Sequence, residues 1–113
     1  MKTMELKVIK RHIRSWASNL GYKIFIFIKK PYFRDSKNSD IDLFVIFGEP
    51  VSVEKFKLLS TYDAQNWEKH LSGKLGIAVH LYFYHPKFTD RFFLKNVVKN
   101  CDRIFDYRAP FEA

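Results

Sequence analysis

Apolar residues in the first part of the chain recur every three or four positions, which is the spacing of one helix face. They predict a helix from Thr3 to Leu20, and Gly21 is the residue expected to end it. A basic stripe runs beside the apolar one, and it is either a solvated helix face or a surface for nucleic acid or an acidic partner. The apolar positions are Leu6, Ile9, Ile13, Trp16 and Leu20, and the basic ones are Lys7, Lys10, Arg11 and Arg14.

The remainder of the chain alternates runs rich in β-branched and aromatic residues with helical patterns. Such runs predict strands at 22–28, 41–47 and 77–84, and a short edge strand at 104–107. A polar and basic loop joins the first two strands over residues 29–38.

Two further helices follow from the helical patterns. Ser52 is expected to cap a helix that runs to about Leu71 and is broken by Gly73 and Gly76. Thr89 is expected to cap the last helix. The side chains expected to face inward are Phe56, Leu59 and Trp67 in the first of these helices and Phe92, Phe93 and Val97 in the second.

The predicted order of elements is α-β-β-α-β-α-(β), in one domain spanning residues 1–113. Helices alternating with strands indicate an α/β fold of the α+β two-layer kind, with helices mainly on one face of the sheet. The joint between the first two strands is only about ten residues, too short for an ordinary helical crossover. We therefore expect that pair to be antiparallel and the sheet to be mixed.

Composition and charge narrow the class of protein. Of the 113 residues, 47% are hydrophobic and 18% aromatic, which suits one folded domain whose core is aromatic-rich or whose surface keeps aromatic side chains for a partner. The net charge of +8 favours phosphate-bearing partners. With Cys101 as the one cysteine and no apolar run long enough to span a membrane, we expect a cytoplasmic protein.

Two carboxylates stand at the start of the second strand, at Asp40 and Asp42. Side chains two residues apart in a strand point to the same side, so the two acids lie together. Such a pair can hold a hard divalent cation that takes its other ligands from substrate phosphates, or it can be an ordinary turn residue and a solvated side chain. The same alternation puts His80, on the third strand, on the face of the acids. If the strands are neighbours, His80 comes near the pair, either as a ligand or as a polar residue on the open face.

From Ser39-Asp40-Ile41-Asp42-Leu43 and the order of elements, the chain resembles the minimal nucleotidyltransferase family of the polymerase-β-like superfamily. The family pattern is Phe-Gly-Ser, ten residues and then Asp-x-Asp, with a third Asp on a later strand. The resemblance implies that Asp40 and Asp42 bind Mg²⁺ or Mn²⁺, which binds the triphosphate of an NTP. It also implies that an acceptor hydroxyl attacks the α-phosphate.

The chain departs from the family pattern at two of its three signature elements. Phe-Gly-Ser is replaced by Phe27-Ile28-Lys29, and the third Asp is replaced by His80. A branched side chain stands where the backbone should approach the phosphates closely, and His is a poorer ligand for Mg²⁺ than Asp. The residues to which the resemblance assigns roles are Asp40, Asp42 and His80 for catalysis, Asp40 and Asp42 for metal, and Lys29, Lys30, Arg34 and Ser39 for nucleotide.

The resemblance leaves two main functions open. One is metal-dependent transfer of a nucleoside monophosphate from NTP to a hydroxyl of a protein, an RNA or a small molecule. The other is a catalytically inactive binding module that pairs with a small helical partner such as a HEPN-domain protein, in the manner of an antitoxin and its toxin. A homodimer or hetero-oligomer is expected in either case. RNA binding through the basic first helix is a third hypothesis, for which the chain has no sequence signature.

Overall fold

The computed structural model describes residues 6–29 and 40–109. In chain order, the elements are α1 (Leu6–Leu20), β1 (Ile24–Lys29), β2 (Ile41–Phe47), α2 (Val53–Leu58), a π-helical turn (Leu59–Asp63), α3 (Ala64–Leu75), β3 (Val79–Tyr84), α4 (Arg91–Asn100) and β4 (Cys101–Asp106). Helices and strands therefore alternate as predicted, and the fold is α+β.

The four strands form one mixed sheet in the order β3-β2-β1-β4. β1 pairs antiparallel with β2 on one side and with β4 on the other, whereas β2 and β3 are parallel. The antiparallel first pair and the mixed sheet are thus confirmed. β4 is the predicted edge strand, and its pairing with β1 is interrupted by a register shift between Ile26 and Phe27.

The main core lies between one face of the sheet and the helices α1 and α3. Alternate strand residues supply it, because successive side chains of a strand point to opposite faces. Trp16 of α1 meets Trp67 of α3 edge to face at 5.8 Å between ring centroids, which joins the two helices over the sheet. The strand residues buried on this face include Ile24, Ile26, Ile28, Ile41, Leu43, Val45, Val79, Leu81 and Phe83.

The second face of the sheet is partly covered by α4. Val97 of this helix packs against Phe27 of β1 and Ile46 of β2 in a small second core. Ile46 lies on the same sheet face as Asp42 and is buried. The reason is that α4 leads into β4, which pairs with β1, so the helix lies over the β1 side of the sheet. Toward β3 the same face stays more open, and Tyr82 is 42% exposed.

Of the two predicted boundaries of the second helical segment, the start is confirmed and the end was only partly right. Ser52 is the N-cap, and its Oγ accepts a hydrogen bond from the Lys55 backbone N–H at 3.1 Å. The helix does not break at Gly73 but continues to Leu75, which is buried. Gly76 ends it with a φ of 69°, a left-handed conformation that favours glycine.

The start of α4 and its inward face also differ from the prediction. Asp90, not Thr89, is the N-cap, and its Oδ1 accepts a hydrogen bond from the Phe92 backbone N–H at 2.8 Å. Thr89 instead accepts from the His85 backbone N–H through Oγ1. Val97 faces inward as predicted, but Phe92 is 76% exposed and Phe93 41% exposed. The helix is rotated so that Val97, not Phe92, meets the sheet.

Side chains of α3 close the outer edge of β3. The backbone N–H of Val79 donates to the Ser72 hydroxyl at 2.9 Å, and that of Leu81 donates to the Glu68 carboxylate at 2.8 Å. On the other edge strand, the Arg14 guanidinium of α1 donates to the Ile104 carbonyl of β4 at 2.8 Å. Unpaired edge groups invite pairing with another chain, and these contacts occupy some of them. Within the described residues, no helix is long and apolar enough to cross a membrane.

Candidate functional site

The acid pair lies where β2 begins, beside β3. Asp42 is the second residue of β2 and stands directly across from His80 of the parallel strand β3. Asp40 comes immediately before the strand, and its Oδ2 lies 3.2 Å from His80 Nε2. The structure therefore brings together Asp40, Asp42 and His80, as predicted from strand alternation. Their functional roles stay predictions.

All three polar side chains are reachable from solvent. The side chain of Asp40 is 55% exposed and that of His80 is 44% exposed, whereas Asp42 is half-buried. An ion pair as exposed as Asp40–His80 contributes at most about 1 kcal/mol to stability. The contact therefore matters here for what it does to the acid: it engages one carboxylate oxygen of Asp40.

An aromatic row continues the site along the same face of the sheet. Phe44 stacks on Tyr82 at 5.3 Å and on Tyr84 at 5.9 Å between ring centroids. Tyr84 in turn meets Phe93 of α4 at 4.8 Å. We call Phe44, Tyr82 and Tyr84 the aromatic row, and it extends from the acid pair to α4.

Tyr82 is coupled electrostatically to the acids. Burial raises the pKa of its phenol most, followed by the negative charges of Asp42 and Glu68 and a hydrogen bond to Asp42. Tyr82 therefore stays protonated to higher pH than an ordinary tyrosine, and as a neutral hydroxyl it can donate to a carboxylate. Tyr82 stands two residues after His80 on β3, so strand alternation puts it on the same face. The contribution of Glu68, which lies on a separate helix, has no signal in the sequence.

Only part of the predicted nucleotide-binding set falls in the described residues. Ile28 is buried in the main core and pairs with Leu43. Lys29 follows it at the end of β1, exposed, and alternation puts it on the face of the acid pair. Lys30, Arg34 and Ser39 lie outside the described residues, so their roles also stay predictions.

Two carboxylates and one imidazole are the donors that this site offers to a divalent metal. Over residues 6–29 and 40–109, no group of three or more His, Cys, Asp and Glu side chains is arranged to hold a metal ion. The two carboxylates at the start of β2 suit the commonest protein contribution to Mg²⁺, which is one or two carboxylates completed by water and substrate phosphates. The residues thus fit a metal that arrives with a nucleotide better than a metal held by the protein alone.

Comparisons with known proteins agree on the fold. No protein-family model matches the chain, and no curated protein matches it. Among solved structures, it is similar to a tri-AMPylated Shewanella oneidensis HEPN toxin in complex with an MNT (minimal nucleotidyltransferase) antitoxin, with a TM-score of 0.61 and 14% identity over 90% of this chain and 73% of that one. It is also similar to the toxin–antitoxin complex MntA–HepT, with a TM-score of 0.60 and 14% identity over 90% of this chain and 74% of that one.

A third solved structure, also from Shewanella oneidensis, has a TM-score of 0.56 and 16% identity over 94% of this chain and 76% of that one. At such identities the similarity concerns the fold. The chain therefore has a minimal nucleotidyltransferase-like fold.

Proposed function

We propose that this chain binds a HEPN-type partner protein and acts as an antitoxin-like binding module. The observation that carries the proposal is the aromatic row, which stands beside the acid pair on the part of the sheet that α4 leaves open. Tyr82 is 42% exposed although it stacks on Phe44. Two of the similar solved structures are complexes of an antitoxin with a toxin, which supports a protein partner.

The aromatic row has the chemistry of a protein interface. Tyrosine rings bury a large apolar area on association while the hydroxyl keeps a polar partner, here a carboxylate of the same sheet face. Contiguous apolar surface next to polar groups marks interaction sites on proteins. A small helical partner placed on this face would cover the aromatic row and come into contact with Asp42.

The proposal is tested with Tyr82→Glu and a matched control, Tyr62→Glu. Tyr62 is 73% exposed and lies on the π-helical turn, away from the aromatic row. Each variant is co-expressed with a HEPN-type protein from the same genome. Complex formation is measured by light scattering, and affinity by titration of the variant with that protein. We expect the wild type and Tyr62→Glu to bind and Tyr82→Glu to bind at least about tenfold more weakly, the loss expected for a central aromatic contact.

Two outcomes would contradict this proposal. One is that the wild type forms no complex with any HEPN-type protein of its genome. The other is that Tyr82→Glu binds as tightly as the wild type, which would place the contact elsewhere. A homodimer through the aromatic row would appear as a doubled mass that Tyr82→Glu halves and Tyr62→Glu leaves unchanged.

Nucleotidyl transfer is a second candidate function, favoured by the shared face of Asp40 and Asp42. In this hypothesis the two acids hold the divalent metal, which would neutralise charge on the phosphates when bound. Lys29 contributes positive charge on the same face, and Lys30, Arg34 and Ser39 remain the other nucleotide-binding candidates. The oxygen of an acceptor hydroxyl would bond to the α-phosphorus as pyrophosphate leaves, and His80 would take the hydroxyl proton.

Transfer is measured with α-labelled ATP and Mg²⁺ or Mn²⁺, with and without the HEPN-type partner. We expect negligible labelling when this chain is alone, because His80 stands where the family pattern has an acid and is a poorer ligand for Mg²⁺. Labelling of the partner that is lost in Asp42→Asn would support transfer. If the complex forms and no label appears with either metal, the chain is a binding module only.

A further inference from the structure

A shallow groove runs along the exposed side of α4, separate from the aromatic row. It has a volume of about 390 Å³ and is lined by Arg91, Leu94, Lys95, Val98 and Lys99. Val98 is 55% exposed, because no further element of the described chain packs over this side of α4. The helix buries Val97 against the sheet, and Leu94 packs partly against the same second core while it also lines the groove. Val98, one turn beyond Leu94, is the exposed apolar side chain of this side.

Three cations border this groove in a regular row. Arg91, Lys95 and Lys99 recur every four residues, and α4 contains no Asp or Glu. None of the three forms an ion pair with a carboxylate of residues 6–29 or 40–109. The nearest acid along the chain, Asp90, is engaged in capping the first turn of the helix. At a rise of 1.5 Å per residue the cations stand about 6 Å apart along the axis.

We infer that this groove is a docking surface for an acidic amphipathic helix of a partner protein. The apolar pair Leu94 and Val98 would receive apolar side chains spaced at i and i+4 on the partner helix. The row of cations would face Asp or Glu side chains with the same spacing, because residues four apart on any helix are also separated by about 6 Å along its axis. Opposite charge across an interface favours association and suppresses wrong partners.

The charges also argue against other occupants. A second copy of this chain would bring its own three cations and a net charge of +8 against the first, which repels. Nucleic acid would pair with the cations but leave the apolar floor of Leu94 and Val98 against phosphate and sugar. The length of the groove, about 12 Å from Arg91 to Lys99, matches two turns of a docked helix.

The test uses a designed amphipathic peptide of about 18 residues with Leu at i and i+4 and Glu on the flanks, compared with the same peptide carrying Lys for Glu. Binding to the full chain is followed by fluorescence anisotropy. We expect the Glu peptide to bind, and Lys95→Glu with Lys99→Glu to weaken it at least about tenfold. The matched control is Lys57→Glu with Lys69→Glu, two exposed cations on α2 and α3, which we expect to weaken binding less than about twofold.

Val98→Ser supplies an independent measurement, because it alters the apolar floor without changing the charge. Circular dichroism verifies that each variant is folded. If the variant with Lys95→Glu and Lys99→Glu is not folded, the affinity of Val98→Ser for the Glu peptide decides the test. The inference is overturned if the Glu peptide does not bind the wild type, or if Val98→Ser binds as tightly as the wild type. It is also overturned if the two charge-reversed pairs lose equal affinity, or if anionic vesicles or single-stranded RNA bind through Lys95 and Lys99 while the peptide does not.

Discussion

His80 Nε2 lies 3.2 Å from Asp40 Oδ2, so the imidazole is within hydrogen-bond distance of one of the two acids at the start of β2. The contact changes the electrostatics of the site. A third carboxylate would add negative charge, which attracts a metal ion. A neutral imidazole adds no charge, and a protonated imidazole offsets part of the negative charge of the two acids. The Asp40–His80 pair thus makes the site less attractive to a divalent cation than three carboxylates would be.

Replacing this histidine should therefore strengthen metal binding. We expect His80→Asp to bind Mn²⁺ at least about tenfold more tightly than the wild type, a gain of about 1.4 kcal/mol in binding free energy. Without metal, the same variant should be less stable, because three neighbouring carboxylates repel one another. Both effects are measured as melting temperature against Mn²⁺ concentration, since a ligand that binds only the folded state raises apparent stability.

Asp42→Asn is the matched control for this experiment. It should abolish the response of the wild type to Mn²⁺ and raise stability in the absence of metal, because it relieves repulsion between Asp40 and Asp42. Equal Mn²⁺ responses in the wild type and Asp42→Asn would show that the acid pair holds no metal.

The Glu68 carboxylate is expected to stabilise the edge strand β3. Glu68→Ala leaves the part-buried N–H of Leu81 without its partner, which costs about 1–3 kcal/mol of unfolding free energy. Lys69→Ala, at the next and exposed position of α3, should change stability by less than about 0.5 kcal/mol. Urea denaturation measures both variants. A Glu68→Ala variant as stable as Lys69→Ala would show that water replaces the carboxylate at no cost.

Asp106 gives the protein a stability contribution that depends on pH. Hydrogen bonds from the Arg108 guanidinium, at 2.8 and 3.0 Å, lower the pKa of this carboxyl from 3.8 to about 2. Because the folded-state pKa is depressed, the contribution is complete above about pH 4 and is lost as the pH falls through about 2. The difference in unfolding free energy between the wild type and Asp106→Asn should shrink over that interval.

Arg108→Ala tests the cause of this shift. Without the guanidinium, the pKa of Asp106 should rise toward 3.8, and the pH dependence assigned to Asp106 should shrink. A part of the shift should persist, because the backbone N–H of residue 108 still donates to Asp106 Oδ1 at 2.9 Å. Titration of the Asp106 carboxyl by NMR measures the pKa directly. A pKa that stays near 2 in Arg108→Ala would assign the shift to that backbone N–H and to Arg103, whose guanidinium is 3.4 Å from Asp106 Oδ2.

Two substitutions of Asp90 separate the contribution of its capping hydrogen bond to α4 from the contribution of its charge. Asp90→Ala should cost about 0.5–2 kcal/mol of unfolding free energy, because it removes the acceptor for the Phe92 N–H. Asp90→Ser keeps an acceptor at this position and should recover most of the loss. If Asp90→Ser is as unstable as Asp90→Ala, the charge of Asp90 rather than its hydrogen bond supports the helix.

The sequence predicted the strands better than the helix ends, for a physical reason. Alternation has a period of two, so placing Asp42 on one face fixes Phe44 and Ile46 on the same face, and the parallel neighbour carries His80 alongside. The positions of helix ends depend on small, competing contributions to the folding free energy. Gly73 costs about 1 kcal/mol in a helix interior relative to Ala, but burying Leu75 one turn beyond Leu71 outweighs it.

The start and the phase of α4 needed the tertiary structure. Thr89 and Asp90 are both good caps, and the choice falls to Asp90 because the Thr89 hydroxyl is held by the His85 N–H. Phe92 was expected to face inward together with Phe93 and Val97, but a helix turns about 100° per residue. With Val97 against the sheet, Phe93 is one turn away on nearly the same side, and Phe92 is rotated toward solvent.

The position of β1 in the sheet has a consequence for how the chain folds during synthesis. β1 is an interior strand, and its outer partner, β4, is the last element of the described chain. A nascent chain that has released β1, β2 and β3 but not β4 leaves one side of β1 unpaired, and α4 has no strand to lead into. Residues 25–29 pair with residues 101–106, which is a contact of high sequence separation. The four-stranded sheet can therefore be completed only after the ribosome has released β4.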